Sequence, residues 1–174
     1  MSSLTFKEKL AMGRTGESMA AKWLQSKGCQ VLPMYETKET VCQGPVLFTT
    51  EGHDVVAPDL IAFSKQRIVW VEVKYKSASP WNRKRQMFTT GIDKRYYHEY
   101  IKVSQLTTCP VWLLFLIGDG VAKDSPKGPS GLFASSLKNL IEKKDHESKR
   151  WGPSGMVYWN MKSLIKLADY PLTL

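Results

Sequence analysis

Polar and apolar positions are most regularly ordered between Val69 and Lys76, where they alternate without a break. Period two is the mark of a β-strand, and here it puts Trp70, Glu72, Lys74 and Lys76 on one face and Val69, Val71, Val73 and Tyr75 on the other. A second β-rich stretch, Pro58 to Phe63, precedes it across the polar break Ser64 to Arg67, so the two arms predict a hairpin. With a symmetric reversal at Lys65-Gln66, residues whose numbers sum to 131 are cross-strand partners, and Asp59 falls opposite Glu72. Carboxylates opposed across a strand pair, with Cβ atoms roughly 4.5–5.5 Å apart, repel unless a cation lies between them. Lys74 supplies part of that charge, and a hard divalent cation such as Mg²⁺ would supply the rest. An exposed sheet face with an ordinary Glu/Lys pattern shows the same alternation.

The remaining pattern predicts the other elements. Phe6 to Lys27 reads as a helix stopped by Gly28, with Leu10, Gly13, Glu17, Ala20, Ala21 and Leu24 along one stripe. Gly13 and Gly16 would let this helix approach a neighbour closely, and Glu17 is either a carboxylate in search of a partner on that stripe or a group at its edge facing water. Cys29 to Leu32 is a short strand before Pro33, and residues 35–53 form a long connection with room for a strand at Val46 to Phe48. Beyond the hairpin, Ser77 to Thr90 reads as a basic loop, Ile92 to Leu106 as an amphipathic helix, and Val111 to Ile117 as a strand buried on both faces. Leu132 to Lys144 reads as a helix, Asp145 to Arg150 as a charged connection, Met156 to Asn160 as an edge strand and Lys162 to Ala168 as a short helix.

Composition narrows what such a chain does. With 174 residues, 43% of them hydrophobic, one well-cored domain is expected over 1–174, with its core at about 5–118 and a C-terminal extension at about 119–174. Lys and Arg number 25 against 16 Asp and Glu, giving +9, which favours a polyanionic partner, nucleic acid ahead of membrane. From Lys74 to Lys102 there are eight basic residues against Asp93 and Glu99, interleaved with Trp81 and Phe88. Basic side chains among aromatics suit a phosphate backbone with base stacking. A polar start and the lack of a long apolar run predict a cytoplasmic protein, intracellular or nucleoid-associated, with no membrane partner. Cys29, Cys42 and Cys109 are too scattered for a zinc site or a disulfide framework and are expected to be reduced and packed. A histidine-centred site around His53-Asp54 is disfavoured, because only His98 and His146 remain to join it.

A helix with an embedded Glu17, then Pro58-Asp59, twelve residues, and Glu72-Val73-Lys74 resembles the PD-(D/E)XK nuclease superfamily, and in layout the archaeal-type Holliday junction resolvases. The latter likeness includes Gly28-Cys29-Gln30-Val31 and Pro58 to Ala62, and it runs from about Gly13 to Ile117. The connection from Met34 to Asp54 and the segment Ser77 to Thr90 depart from it. The resemblance implies an α/β (α+β) restriction-endonuclease-like core, a mixed central β-sheet flanked by helices in the order α-β-β-β-α-β, with a C-terminal α/β extension. It further implies a metal-dependent endodeoxyribonuclease that hydrolyses phosphodiester bonds with Mg²⁺ or Mn²⁺ on duplex or branched DNA, as a homodimer if the likeness to junction resolvases holds. Asp59, Glu72 and the main-chain carbonyl of Val73 would hold the metal, Glu17 would bind it, a second ion or a water, and Lys74 would orient the attacking group. Arg14, Lys76, Trp81, Arg83, Lys84, Arg85, Lys94 and Arg95 are the candidate nucleic-acid contacts. A non-catalytic nucleic-acid-binding module, an exonuclease and an RNA-directed nuclease remain alternatives.

Overall fold

The computed structural model of the chain describes residues 6–34, 44–50, 52–150 and 152–172. In order they form α1 (Phe6–Ser26), β1 (Gln30–Pro33), β2 (Val46–Leu47), β3 (Val55–Val56), β4 (Leu60–Phe63), β5 (Ile68–Lys76), β6 (Trp81–Asn82), β7 (Met87–Asp93), α2 (Lys94–Thr107), β8 (Val111–Ile117), β9 (Gly131–Ser136), α3 (Leu137–Glu142), β10 (His146–Ser148) and β11 (Met156–Asn160). A 3-10 turn at Met161–Ser163 then leads into β12 (Ile165–Ala168).

β4 and β5 pair antiparallel in the expected register, Leu60 against Val71 through Phe63 against Ile68. They lie within a six-stranded mixed sheet of order β1-β4-β5-β8-β9-β12, in which only β5 and β8 run parallel. Both faces of this sheet are covered, which is why β8 reads as a continuous apolar run. On one face α1 contributes Ala20, Met19, Trp23 and Leu24 against Val71, Val73, Leu114 and Leu116. On the other, Tyr97, Tyr100 and Val103 of α2 meet Trp70, Leu113 and Phe115, together with Ile92, Val157 and Trp159.

Gly16 sets how closely α1 lies on the sheet, because a Cβ there would stand 2.6 Å from the Cβ of Tyr75, an atom that no rotamer change can move away. Gly16→Ala gains about 1 kcal/mol of helix propensity and incurs about 1–3 kcal/mol of overpacking, so a net loss is expected. A melting temperature several degrees lower, measured by circular dichroism, is the expected result; an unchanged one overturns the account of close approach. Leu10, placed on the buried stripe by its spacing, is 42% exposed instead.

Several expectations for the second half are corrected. The segment Ser77 to Thr90 is not a loop: β6 and β7 form a hairpin, and β7 runs on through Ile92, where a helix start was expected. The pattern there alternates weakly, and pairing with β11 decides it, giving a four-stranded sheet of order β10-β11-β7-β6. Met156–Asn160 is therefore flanked on both sides and is not an edge, and part of the charged stretch after Asp145 is β10. Leu132 to Ser136 is strand, drawn into the main sheet beside β8, and only Leu137–Glu142 is helical. Ile165–Ala168 is likewise strand rather than helix, pairing with β9. Cys29 and Cys109 are free thiols, each half-buried; Cys42 lies outside the described residues.

Candidate active site

The site forms where β4 stops and β5 continues. Pro58, ahead of β4, has no N–H to give to a ladder, and the ladder with β5 ends at Leu60. The amide of Trp70 donates to Pro110 on the β8 side, so by the alternation of strand amides the N–H and carbonyl of Val73 point the other way, toward the edge that β4 has left. The Val73 N–H is taken by the Asp59 side chain, which accepts through Oδ2 at 2.9 Å. Its carbonyl faces the same gap, opposite a proline that cannot donate to it.

This gap is a notch of about 500 Å³ lined by Met12, Gly13, Glu17, Asp59 and the β5 edge from Val73 to Ala78. Continuing the β4–β5 register by one residue sets Asp59 against Glu72. Glu72 lies behind the notch, 1% exposed, with its carboxylate ion-paired to Lys74. The Lys74 ammonium and the Tyr100 phenol lie against its oxygens, neither in ideal hydrogen-bond geometry, so part of the acceptor capacity of this buried carboxylate is unfilled. Asp59 is held well above the ordinary aspartate range, first by burial and then by the Glu72 charge, against the opposing pull of Lys74. Burial works against the charge on Lys74, but Glu72 and Asp59 outweigh it and raise its pKa.

Glu17 reaches this notch from the opposite face of the sheet, at its open edge, with Oε1 4.0 Å from where a Gly13 Cβ would stand. Its influence on Asp59 is the smallest of those that act on that carboxyl. Among the described residues no three His, Cys, Asp or Glu side chains form a closed ligand set. What the site offers is two carboxylates and a carbonyl, hard oxygen donors that leave most positions to water. That donor set suits Mg²⁺, which is commonly held by one or two carboxylates plus substrate phosphates. The under-satisfied oxygens of Glu72 and the mutual repulsion of Glu72 and Asp59 are the features a divalent cation would relieve, so the residues present fit the group.

Two tyrosines of α2 border the acidic pair. Tyr96 lies over Lys74, with Nζ 5.5 Å from the ring centroid, and Tyr100 is 2% exposed beside Glu72. The signal was present in the spacing, because tyrosines four apart on a helix advance about as far as residues two apart on a strand, roughly 6 Å.

The candidate nucleic-acid contacts divide. Lys76 is not a solvated cation: it lines the notch, donates to the Gly91 carbonyl at 2.6 Å, and is pushed down to about 8 by burial and then by Lys74. Arg85 is paired with Asp145 at 3.0 Å and Lys94 with Glu147 at 2.5 Å, so their charge is spent within the second sheet. Trp81 packs edge-on against Phe88 at 4.8 Å. Arg83 donates to the Asp124 carbonyl at 3.3 Å yet stays exposed, as do Arg14, Lys84 and Arg95.

The chain is similar to two solved structures. Hjc, a Holliday junction resolvase from the archaeal hyperthermophile Archaeoglobus fulgidus, matches with a TM-score of 0.52 over 87% of this chain and 90% of its own, at 9% identity. A nuclease from a fusselovirus matches with a TM-score of 0.46 over 95% of this chain and 89% of its own, at 10% identity. No family model and no curated protein matches the chain. The fold is thus restriction-endonuclease-like, with a mixed central sheet between helices.

Proposed function

We propose that this protein is a metal-dependent nuclease that hydrolyses phosphodiester bonds in DNA, and that it acts on branched as well as duplex substrates in the cytoplasm. The observation that carries the reading is the juxtaposition of Asp59, buried Glu72 and Lys74 at a sheet edge that is open to a notch. A divalent cation bound there would act as Lewis acid, lower the pKa of a water and offset charge developing on the phosphate. Asp59, Glu72 and the Val73 carbonyl are the donors that would hold it. Lys74, ion-paired with Glu72, would orient the attacking water and a phosphate oxygen. Glu17, from across the edge, would accept a hydrogen bond from a water in the notch.

Incubation of plasmid DNA and of four-way, flap and single-stranded oligonucleotides with Mg²⁺ or Mn²⁺ should give cleavage that EDTA abolishes. RNA run in parallel tests the substrate sugar, and salt-dependent binding without cleavage of any substrate would replace this reading with a non-catalytic module. The exposed tip of the β6–β7 hairpin is the proposed contact to the DNA backbone. Charge reversal at Arg83 and Lys84 together should weaken DNA binding across sequences and reduce the slope of log K against log salt by about 2, read by fluorescence anisotropy. An unchanged slope removes the hairpin from the interface.

A further inference from the structure

The buried ion pair sets a problem that the nuclease reading leaves open. Lys74 is ion-paired with Glu72 and stands near Asp59, so how far its ammonium also leans toward the notch depends on what it meets on its other side. An acidic side chain there would compete for the same charge. A ring face attracts the ammonium through its quadrupole without neutralising it or taking its proton. The structure puts such a face in place: Tyr96 lies over Nζ at 5.5 Å. Its own ring is stacked on Tyr100, centroids 6.2 Å apart and 20° from parallel. Tyr100 is fixed in turn, buried in the core of α2. Its phenol lies beside the Glu72 carboxylate.

We propose that Tyr96 is a positioning residue that holds the Lys74 ammonium at the notch, with Tyr100 one turn along the helix as its rigid backing beside Glu72. The matched advance of Tyr96 and Tyr100 on α2 and of Lys74 and Glu72 on β5 places aromatic against cation and hydroxyl against carboxylate in a single register. The catalytic consequence rests on the nuclease reading; the contact itself does not.

The test uses the full chain with ¹³C-labelled lysine, the Lys74 resonances being assigned from their loss in Lys74→Arg. In the wild type the ring current of Tyr96 should displace the Lys74 ε-proton resonances upfield of the other lysines. Tyr96→Leu should return them to the ordinary position, and Tyr96→Phe should keep them displaced. In the cleavage assay Tyr96→Leu should lower kcat about tenfold with KM for DNA nearly unchanged, and Tyr96→Phe should restore it. An undisplaced Lys74 resonance in the wild type overturns the proposal even if the leucine variant does not fold. So does a leucine variant that loses the displacement but keeps full kcat, or one whose loss lies in KM. Displacement lost on substitution in a protein that cleaves no substrate leaves the contact standing and fails the nuclease reading instead.

Discussion

Asp59→Asn and Glu72→Gln are each expected to abolish metal-dependent cleavage, by about a thousandfold or more, and Asp59→Asn should in addition make the protein more stable in EDTA. The first effect follows from withdrawing donor charge from a site whose chemistry is charge stabilisation, where several kcal/mol are at stake. The second follows from the surroundings of Asp59, which burial and then the charge of Glu72 hold above its ordinary range. Neutralising Asp59 should raise stability by about 1–3 kcal/mol, the common trade of stability for function at such sites, whereas Glu72→Gln takes the counter-ion from Lys74 and should lower stability. The linked pH dependence has a definite sign. Because the folded-state pKa of Asp59 lies above its ordinary value of 3.8, the folded protein binds more protons than the unfolded chain between the two values. Stability of the metal-free protein should therefore fall as pH rises through that window, and Asp59→Asn should flatten the fall. Thermal melts in EDTA across acidic pH, set beside cleavage rates in Mg²⁺, check both halves. An Asp59→Asn variant less stable than wild type in EDTA would show that this carboxylate supports the fold rather than strains it.

Lys74→Met is expected to do to stability the reverse of Asp59→Asn, and the same to activity. It leaves Glu72 and Asp59 facing one another in a buried setting without a cation. Breaking a buried pair by deleting one partner commonly costs about 3–5 kcal/mol, and the lower end applies here because Lys74 is 33% exposed. The loss should shrink in mild acid, where a carboxyl takes up a proton, and on addition of Mg²⁺ or Mn²⁺, which would supply the missing charge. Cleavage should remain lost under either rescue, because no ammonium is left to orient water and phosphate. Lys74→Arg separates the two roles: it keeps the positive charge beside Glu72, and hence most of the stability, but a planar guanidinium does not reproduce a compact ammonium in the notch. Full cleavage by Lys74→Arg would show that only charge matters there. A Lys74→Met variant as stable as wild type in EDTA would mean that water already screens the two carboxylates.

The hairpin and its register were legible in the sequence because strand geometry is local. Strict alternation fixed which residues share the Glu72 face, and a symmetric reversal at Lys65-Gln66 gave the pairing seen from Leu60–Val71 to Phe63–Ile68. The unbroken apolar run of β8 announced burial on both faces in the same way. Where side-chain pattern was weak, neighbours decided. Gly131–Ser136 and Ile165–Ala168 carry no strong period, and they are strands because each supplies a ladder that the other or β8 requires. The fate of the basic residues was equally invisible, because Arg85 and Lys94 meet acidic partners 60 and 53 positions away.

The sequence by itself determined a β-hairpin that carries an aspartate, a glutamate and a lysine on one face, since period and register depend only on neighbouring residues. Only the tertiary structure decided that β4 would end at Leu60 and open an edge, that Glu17 would arrive there from the far side of the sheet, and that Tyr96 would cover Lys74. Those are meetings of segments separated by tens of residues, and they are set by how the two faces of one sheet pack, which no local pattern encodes.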